Sequence, residues 1–194
     1  MKIGIFGGTF DPIHEGHLFL ARAARDQYHL DKILFVPAFI PPHKTGRRDM
    51  TPAPYRYSMV EMGIRDERDF EVSDIEFNRP EVSYTVDTLR AFKTRYPDDE
   101  FFLITGSDTA VEIPGWREPE EIKKMASVLV AGRPGHAAGA GGSGLLWIDM
   151  PPHDISSSEI RRKIAAGEPI GEKIISQNVE NYIRKMKLYQ SVKS

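Results

Sequence analysis

A chain of 194 residues with 26 Lys+Arg, 28 Asp+Glu and no cysteine is long enough for one domain of ordinary size, which buries roughly 70% of the surface exposed by its unfolded chain and needs no covalent staple. The missing cysteines exclude disulfides, thiolate nucleophiles and Cys-ligated zinc or iron–sulfur sites. A net charge of −2 excludes a general nucleic-acid or membrane-surface binder, whose basic excess would show on one face or tail, so any anionic ligand must be met locally. No run of ~18 apolar residues marks a transmembrane helix. The chain reaches Gly7, Gly8 and Asp11 before the apolar region of a signal peptide can form, so a soluble, cytoplasmic protein is expected.

Short apolar runs rich in β-branched and aromatic residues alternate with helical patterns, the mark of βαβ units around a mainly parallel sheet in a single α/β domain over 1–194. Residues 2–6 read as the first strand and 16–28 as the first helix, with Leu18, Leu20, Ala21 and Ala24 on or near one face. A second strand at 33–36 is ended by Pro37. The proline-dense stretch 38–54 is too long for a mere connector and is a candidate lid. Next come a helix at 55–65, a strand at 70–72 and a helix at 83–96 with Val86, Leu89 and Phe92 at helical spacing. A strand at 101–105, a short helix at 118–124 and a buried strand at 127–131 follow. The Gly/Ala/Ser-rich stretch 135–144 offers nothing to pack and reads as a flexible surface loop. A last strand at 145–148 and helices at 156–166 and 172–187 complete the order.

The strongest chemical signal is Gly7-Gly8-Thr9-Phe10-Asp11-Pro12-Ile13-His14-Glu15-Gly16-His17, which joins the C-terminal end of the first strand to the first helix, where open α/β sheets bind ligands. Glycines let the backbone approach a phosphate, and the free N–H groups and positive dipole end of the helix favour an anion. His14 and His17, spaced i, i+3, lie roughly 60° apart on one side of a helical turn. There both can donate to phosphoryl oxygens without a metal. A lone histidine is most often a cap or a packing residue, but two of them beside a Gly pair in one strand-to-helix turn favour the ligand reading. Neither GxxxxGK[ST] nor GxGxxG is present in this turn.

A second constellation, Ile155-Ser156-Ser157-Ser158-Glu159-Ile160-Arg161, has capping-box spacing with Ser156 at the N-cap and Glu159 at N3. The hydroxyls of Ser157 and Ser158 are then free at a positive helix end, with Arg161 one turn in to grip phosphate bidentately. Alone this would be an ordinary capped helix; beside His14 and His17 it reads as the second half of a triphosphate cradle. Three further segments suit a second substrate. Lys44, in Pro41-Pro42-His43-Lys44, supplies a compact charge for a phosphate. Ser83 and Thr85 begin a helix that either could cap. Gly106-Ser107-Asp108 follows a strand at the sheet's ligand edge, and Trp116, between Gly115 and Arg117, can stack on a planar ring.

His14-Glu15-Gly16-His17 resembles the H-x-G-H signature of the nucleotidyltransferase superfamily, and the Ile155 to Arg161 segment resembles its I-S-S-[ST]-x-[IV]-R partner. With Pro41-Pro42-His43-Lys44, Ser83-Tyr84-Thr85-Val86-Asp87-Thr88, Gly106-Ser107-Asp108, Trp116 and Arg133-Pro134-Gly135, the chain resembles the bacterial nicotinate-nucleotide adenylyltransferases from Met1 to about Leu188. The resemblance implies a Rossmann-like nucleotidyltransferase fold, with ATP held by Gly8, Thr9, Phe10, His14, His17, Ser157 and Arg161, and Asp108 near its ribose. It also implies that nicotinate mononucleotide meets Lys44 at its phosphate and Thr85 and Trp116 at its ring. His14 and His17 are the implied catalytic pair, and Mg²⁺ is expected to ride on the ATP phosphates and water, with no protein ligand. At Arg117 the chain departs from the family, where a residue such as Tyr or Asn is expected.

The implied reaction is adenylyl transfer from ATP to nicotinate mononucleotide, giving nicotinate adenine dinucleotide and pyrophosphate, a step of NAD biosynthesis. Such a displacement rests on positioning and on neutralising developing charge, which suits two His, a Lys and an Arg without any nucleophile. The expected partners are the two small substrates, with no nucleic acid and no membrane; self-association is left open. Two alternatives stand beside this one: another H-x-G-H nucleotidyltransferase, such as one acting on phosphopantetheine, and a non-catalytic nucleotide-binding module.

Overall fold

The computed structural model describes residues 1–42, 50–79, 81–132, 145–151, 155–171 and 173–190. Six strands, Lys2–Gly8 (β1), Lys32–Pro37 (β2), Phe70–Val72 (β3), Glu100–Thr105 (β4), Ala126–Gly132 (β5) and Leu145–Asp149 (β6), form one sheet in the order β3-β2-β1-β4-β5-β6. Every neighbouring pair is parallel, as the alternation of strand and helix patterns requires. From β1 the chain winds outward through β2 and β3, then returns to β4 on the other side. The direction of winding thus reverses between β1 and β4, and a crevice opens there beyond the strands' C-terminal ends.

Parallel strands buried on both faces are near-continuous apolar runs, sorted to the two sides by their period of two. Ile3 and Ile5 of β1, Leu34 and Val36 of β2, and Phe101 and Leu103 of β4 point to one face. There they pack under Val86, Leu89 and Phe92 of α3 (Thr85–Arg95) and Ile122 of α5 (Pro119–Met125). Phe6, Ile33, Phe35, Phe102 and Ile104 take the other face. This second core is closed by Leu18, Ala21 and Ala24 of α1 (Glu15–Tyr28), Met59 and Val60 of α2 (Ala53–Gly63), and Val179 and Ile183 of α7 (Gln177–Lys185). Each fully buried side chain of this kind contributes ~1.5–3 kcal/mol.

Several boundaries differ from the sequence expectation for local reasons. Helix α2 begins earlier than residue 55, with Pro52 at its N-cap and Pro54 in its first turn, where a missing N–H costs nothing. The stretch after β4 is not plain loop, since it forms α4 (Ser107–Ala110) and a 3-10 turn, Ile113–Gly115. The last helix, expected over 172–187, spans only Gln177–Lys185. Gly171 lies at φ 98, and the carbonyl of Ile174 accepts the N–H of Glu15 at 2.8 Å, so the chain before α7 caps α1 instead of continuing a helix. Ser176 then opens α7, its Oγ accepting from the N–H of Val179 at 3.3 Å. The expected flexible loop 135–144 lies outside the described residues. Among those described, no helix is long and apolar enough to cross a membrane.

His29 ends α1 in the left-handed region at φ 52 and ψ 50, exposed, with its N–H donating to the carbonyl of Arg25. A residue with a Cβ is strained there and glycine is not. His29→Gly is therefore expected to stabilise the fold by ~0.5–1 kcal/mol, read as a higher urea midpoint at unchanged slope.

Candidate active site

The crevice at the switch point is a cavity of about 500 Å³. Gly7, Gly8, Thr9 and His17 line it from the β1–α1 side, Thr105 and Gly106 from the end of β4, and Tyr84, Thr85, Trp116 and Arg117 from the α3 side. It thus straddles the sheet edge: the ring of His17 contacts Phe6 and Phe10 of one core, while Tyr84 and Trp116 pack on the other.

His14 is the N-cap of α1, in extended backbone at φ −149 and ψ 170. Its N–H donates to His17 Nδ1 at 3.2 Å, and the two rings lie 3.7 Å apart between centroids, tilted by 33°. Because Nδ1 of His17 accepts, its proton sits on Nε2, which leaves Nε2–H as the group that this ring can offer a ligand. Burial holds His14 down to about 4. Burial, with the neighbouring His14, pushes His17 well below the ordinary imidazole range. Both rings are therefore neutral at pH 7. An anion brought against them would favour their charged forms. Nδ1 of His14 is buried with no hydrogen-bond partner among the described residues, a cost that a ligand atom can remove.

The glycines of the turn have reasons beyond phosphate approach. A Cβ on Gly16 would sit 3.1 Å from Nδ1 of His14, and one on Gly8 would strike the Phe10 ring at 2.8 Å. Phe10 itself lies at φ 48, and its ring is buried between Phe6 and Phe35. Its expected contact with ATP is thus left to its backbone. The helix start is also less free than its sequence implies, since the first N–H, that of Glu15, is taken by Ile174.

The second expected cradle segment forms α6 (Ser157–Ala166), with Ser156 Oγ accepting from the N–H of Glu159 at 3.2 Å. Only that half of the capping box forms. The Glu159 carboxylate turns to Arg162, at 2.9 Å from both Nε and Nη2, because a charge-assisted pair outweighs a bond to a backbone N–H. The hydroxyl groups expected to be free are engaged: Ser157 donates to the Pro12 carbonyl at 2.9 Å, and Ser158 Oγ accepts from Arg161 Nη2 at 3.2 Å. Arg161 Nη1 donates to the Asp11 carbonyl at 2.8 Å. Ser157 and Arg161 therefore bind the His14–His17 turn from behind, and neither lines the cavity.

Sequence reasoning missed the residues that hold this turn. Arg56 is fully buried, donating from Nε to the Thr51 carbonyl at 2.8 Å, from Nη1 to Thr9 at 2.7 Å, and from Nη2 to Ala38 at 2.7 Å and Phe39 at 3.3 Å. Asp11 accepts the Tyr189 hydroxyl at 2.6 Å and the Thr51 N–H at 3.3 Å. Burial, then the Asp11 charge, pushes the Tyr189 phenol far upward, so it remains a donor. Glu76 accepts from Thr88 Oγ1 at 2.7 Å and from the Phe39 N–H at 3.2 Å. A signal for Arg56 was present: with Ala53, Met59 and Val60 it falls on the buried face of α2 at helical spacing.

On the other side, Thr85 and Trp116 reach the cavity as expected. Ser83 is no cap: its Oγ accepts from the N–H groups of Phe39 and Ile40, at 2.9 and 3.4 Å. Trp116 Nε1 is buried without a partner among the described residues. Asp108 stands exposed on α4, while its neighbours Gly106 and Thr109 line the cavity. Lys44, and with it the middle of the loop read as a lid, lies outside the described residues.

A doubly wound parallel sheet with paired histidines opening the first helix at its switch point defines the nucleotidyltransferase class of α/β protein. Comparison with known proteins agrees. A family model described as cytidylyltransferase-like matches residues 5–163. A probable nicotinate-nucleotide adenylyltransferase of Bacillus pumilus is 40% identical over 190 residues, covering 98% of this chain and 99% of that one. Its namesake from Thermus thermophilus is 40% identical, covering 98% and 100%. Among solved structures, the Plasmodium falciparum nicotinic acid mononucleotide adenylyltransferase complexed with APC superposes at a TM-score of 0.76, with 25% identity and 97% and 96% coverage. The same enzyme complexed with NaAD gives 0.78 at 24% identity, covering 97% of each chain. The chain belongs to the nicotinate-nucleotide adenylyltransferase family.

Two predictions follow from the polar framework. Arg56→Met leaves the carbonyls of Thr9, Ala38 and Thr51 without this donor and is expected to cost at least ~3 kcal/mol in urea denaturation. The second concerns pH. The unfolded chain binds a proton at His14 near pH 6.5, while the folded one resists it down to about 4. Stability is thus complete above pH 6.5 and falls as pH drops toward 4, by on the order of 3 kcal/mol from His14. His14→Gln is expected to flatten that profile between pH 7 and 4.5.

Proposed function

We propose that this chain transfers the adenylyl group of ATP to nicotinate mononucleotide, releasing pyrophosphate and nicotinate adenine dinucleotide, as a cytoplasmic step of NAD biosynthesis. One observation carries the reading. A continuous cavity joins His17 and the Gly8-Thr9 turn to Thr85 and Trp116 across the sheet's switch point, so two substrates can meet end to end.

In this scheme the triphosphate lies against the Gly8-Thr9-Phe10 backbone and the two histidines. Asp108 stands near the ribose, and the mononucleotide lies with its ring at Thr85 and Trp116 and its phosphate toward Lys44. A 5′-phosphate oxygen of the mononucleotide attacks the α-phosphorus in line, while the bond from that phosphorus to the bridging oxygen of the β-phosphate breaks and its electron pair leaves with pyrophosphate. His17, through Nε2–H, stabilises charge on the transferring group and the leaving oxygen. His14 positions the triphosphate. Ser157 and Arg161 fix the turn that carries both histidines. One N–H donor of Arg161 serves that purpose and a second meets Ser158 of its own helix, so others remain for a phosphate. Mg²⁺, carried in with the ATP substrate, would supply neutralisation of phosphate charge.

The test is pyrophosphate release from MgATP that depends on nicotinate mononucleotide, with the dinucleotide identified by mass. His17→Ala is expected to lower kcat by about 10²-fold or more. Turnover within a few-fold of wild type in a folded variant would remove His17 from this role, and turnover of phosphopantetheine instead would overturn the acceptor.

A further inference from the structure

We propose that Tyr189, in the segment after α7, is a positioning residue for the chemical step: its hydroxyl fixes Asp11 and thereby sets where the turn that carries His14 and His17 stands. The proposal rests on the adenylyl-transfer reading given above and gives a kinetic consequence to a residue that lines no part of the cavity.

Asp11 lies three residues before His14, and its side chain is buried. A buried carboxylate takes the orientation that its donors impose, because water is not there to replace them. The Tyr189 hydroxyl reaches it at 2.6 Å and the Thr51 N–H at 3.3 Å, so the phenol is the shorter and stronger of these two donors. The backbone between Asp11 and His14 is itself held. The Asp11 carbonyl accepts from Arg161, the Pro12 carbonyl accepts from Ser157, and the Ile13 side chain is buried in the core. A displacement at Asp11 is therefore passed along a stiff segment to His14, whose N–H donates to His17 Nδ1 and whose ring lies against the His17 ring.

Tyr189 is placed with some cost to the backbone. Lys187 and Tyr189 both lie in the left-handed region, at φ 53 and 62, where a residue with a Cβ is strained. The N–H of Leu188 donates to the carbonyl of Ile183 at 3.0 Å, so the chain turns as α7 ends, and it brings the phenol to a residue 178 positions earlier. Strain of this kind persists where other contacts over-determine it. The bond to Asp11 is one such contact; the others are apolar, since the ring packs against the core that α7 closes, with its oxygen 3.8 Å from Met59 Sδ of α2. Neither Tyr189 nor Asp11 lines the cavity, so loss of the hydroxyl leaves the substrates their contacts. It alters the placement of two rings that must meet the transferring group in the transition state, where an error on the order of 1 Å costs roughly 10²-fold. Such a loss falls on kcat and spares KM.

The experiment measures kcat, the KM of each substrate and the single-turnover rate of dinucleotide formation in wild type, Tyr189→Phe, Asp11→Ala and the double variant, and follows the ring signals of His14 and His17 by NMR. Tyr189→Phe keeps the ring in the core and removes only the hydroxyl. It is expected to lower kcat and the single-turnover rate by about 10-fold, to leave both KM values within about twofold, and to shift the signals of both histidines. In the Asp11→Ala background the same change is expected to cost less than about twofold more, because both substitutions break one link. Should Asp11→Ala not fold, the split between kcat and KM and the histidine signals decide. Leu188→Ala is the control: it trims the packing beside Tyr189 and spares the hydroxyl, so a lower urea midpoint with unchanged kcat is expected. An unchanged kcat in Tyr189→Phe, a loss confined to KM, a full further loss in the Asp11→Ala background, or an equal fall in Leu188→Ala overturns the proposal. Wild type that forms no dinucleotide from these substrates overturns the reaction alone. Tyr189 is then judged by the histidine signals, and signals that Tyr189→Phe leaves in place overturn it too.

Discussion

The guanidinium of Arg56 is the constraint on which the site depends. Strands β1 and β2 end in irregular backbone whose carbonyls turn inward, and such carbonyls need donors as much as those in a helix do. Arg56 meets Thr9, Ala38, Phe39 and Thr51 from one planar fork, so a single helical side chain on α2 sets the spacing between two loops and its own helix start. Burying that charge is costly. Asp11 and Glu76 offset the cost through their negative charge, and the two carboxylates tie in Thr51, Tyr189, Phe39 and α3. The result is a polar layer that joins the segment from β1 to α1, the end of β2 and α3.

Within that layer the histidine pair has a particular electrostatic character. Two imidazoles tilted against each other, His14 buried and His17 half-buried, are neutral and form a surface without net charge that can nonetheless donate hydrogen bonds. In the proposed reading, this is how a chain with a net charge of −2 would meet polyanionic substrates, with positive potential confined to the site instead of spread over a face. At the cavity, Nε1 of Trp116 has no partner among the described residues, as Nδ1 of His14 has none beside the histidine turn.

Strand positions, the sheet's parallel character and the β1–α1 motif were all legible, because each rests on local spacing: apolar runs of strand length, helical periodicity and residues adjacent in the chain. Errors arose where distant backbone competes for the same groups. Residues 173–176 carry no feature that forbids helix, yet Glu15, far away in the chain, needs a carbonyl and takes that of Ile174. Ser157 looks free to a reader of the sequence, but the carbonyl of Pro12, far away in the chain, is its neighbour in space. Phe10 reads as part of a ligand turn, and its ring instead fills the core between Phe6 and Phe35.

By itself, the sequence determined the class of fold and the family, since periodicity and the H-x-G-H turn are properties of short segments. It also determined where charge must be met, because balanced composition leaves only a few residues to do so. The tertiary structure alone decided which polar groups hold the site and which face the ligand. Arg56, Glu76 and Tyr189 are ordinary letters at unremarkable spacings, and their roles exist only because folding brings them to carbonyls, hydroxyls and a carboxylate from other segments, in a space where water is too scarce to satisfy those groups.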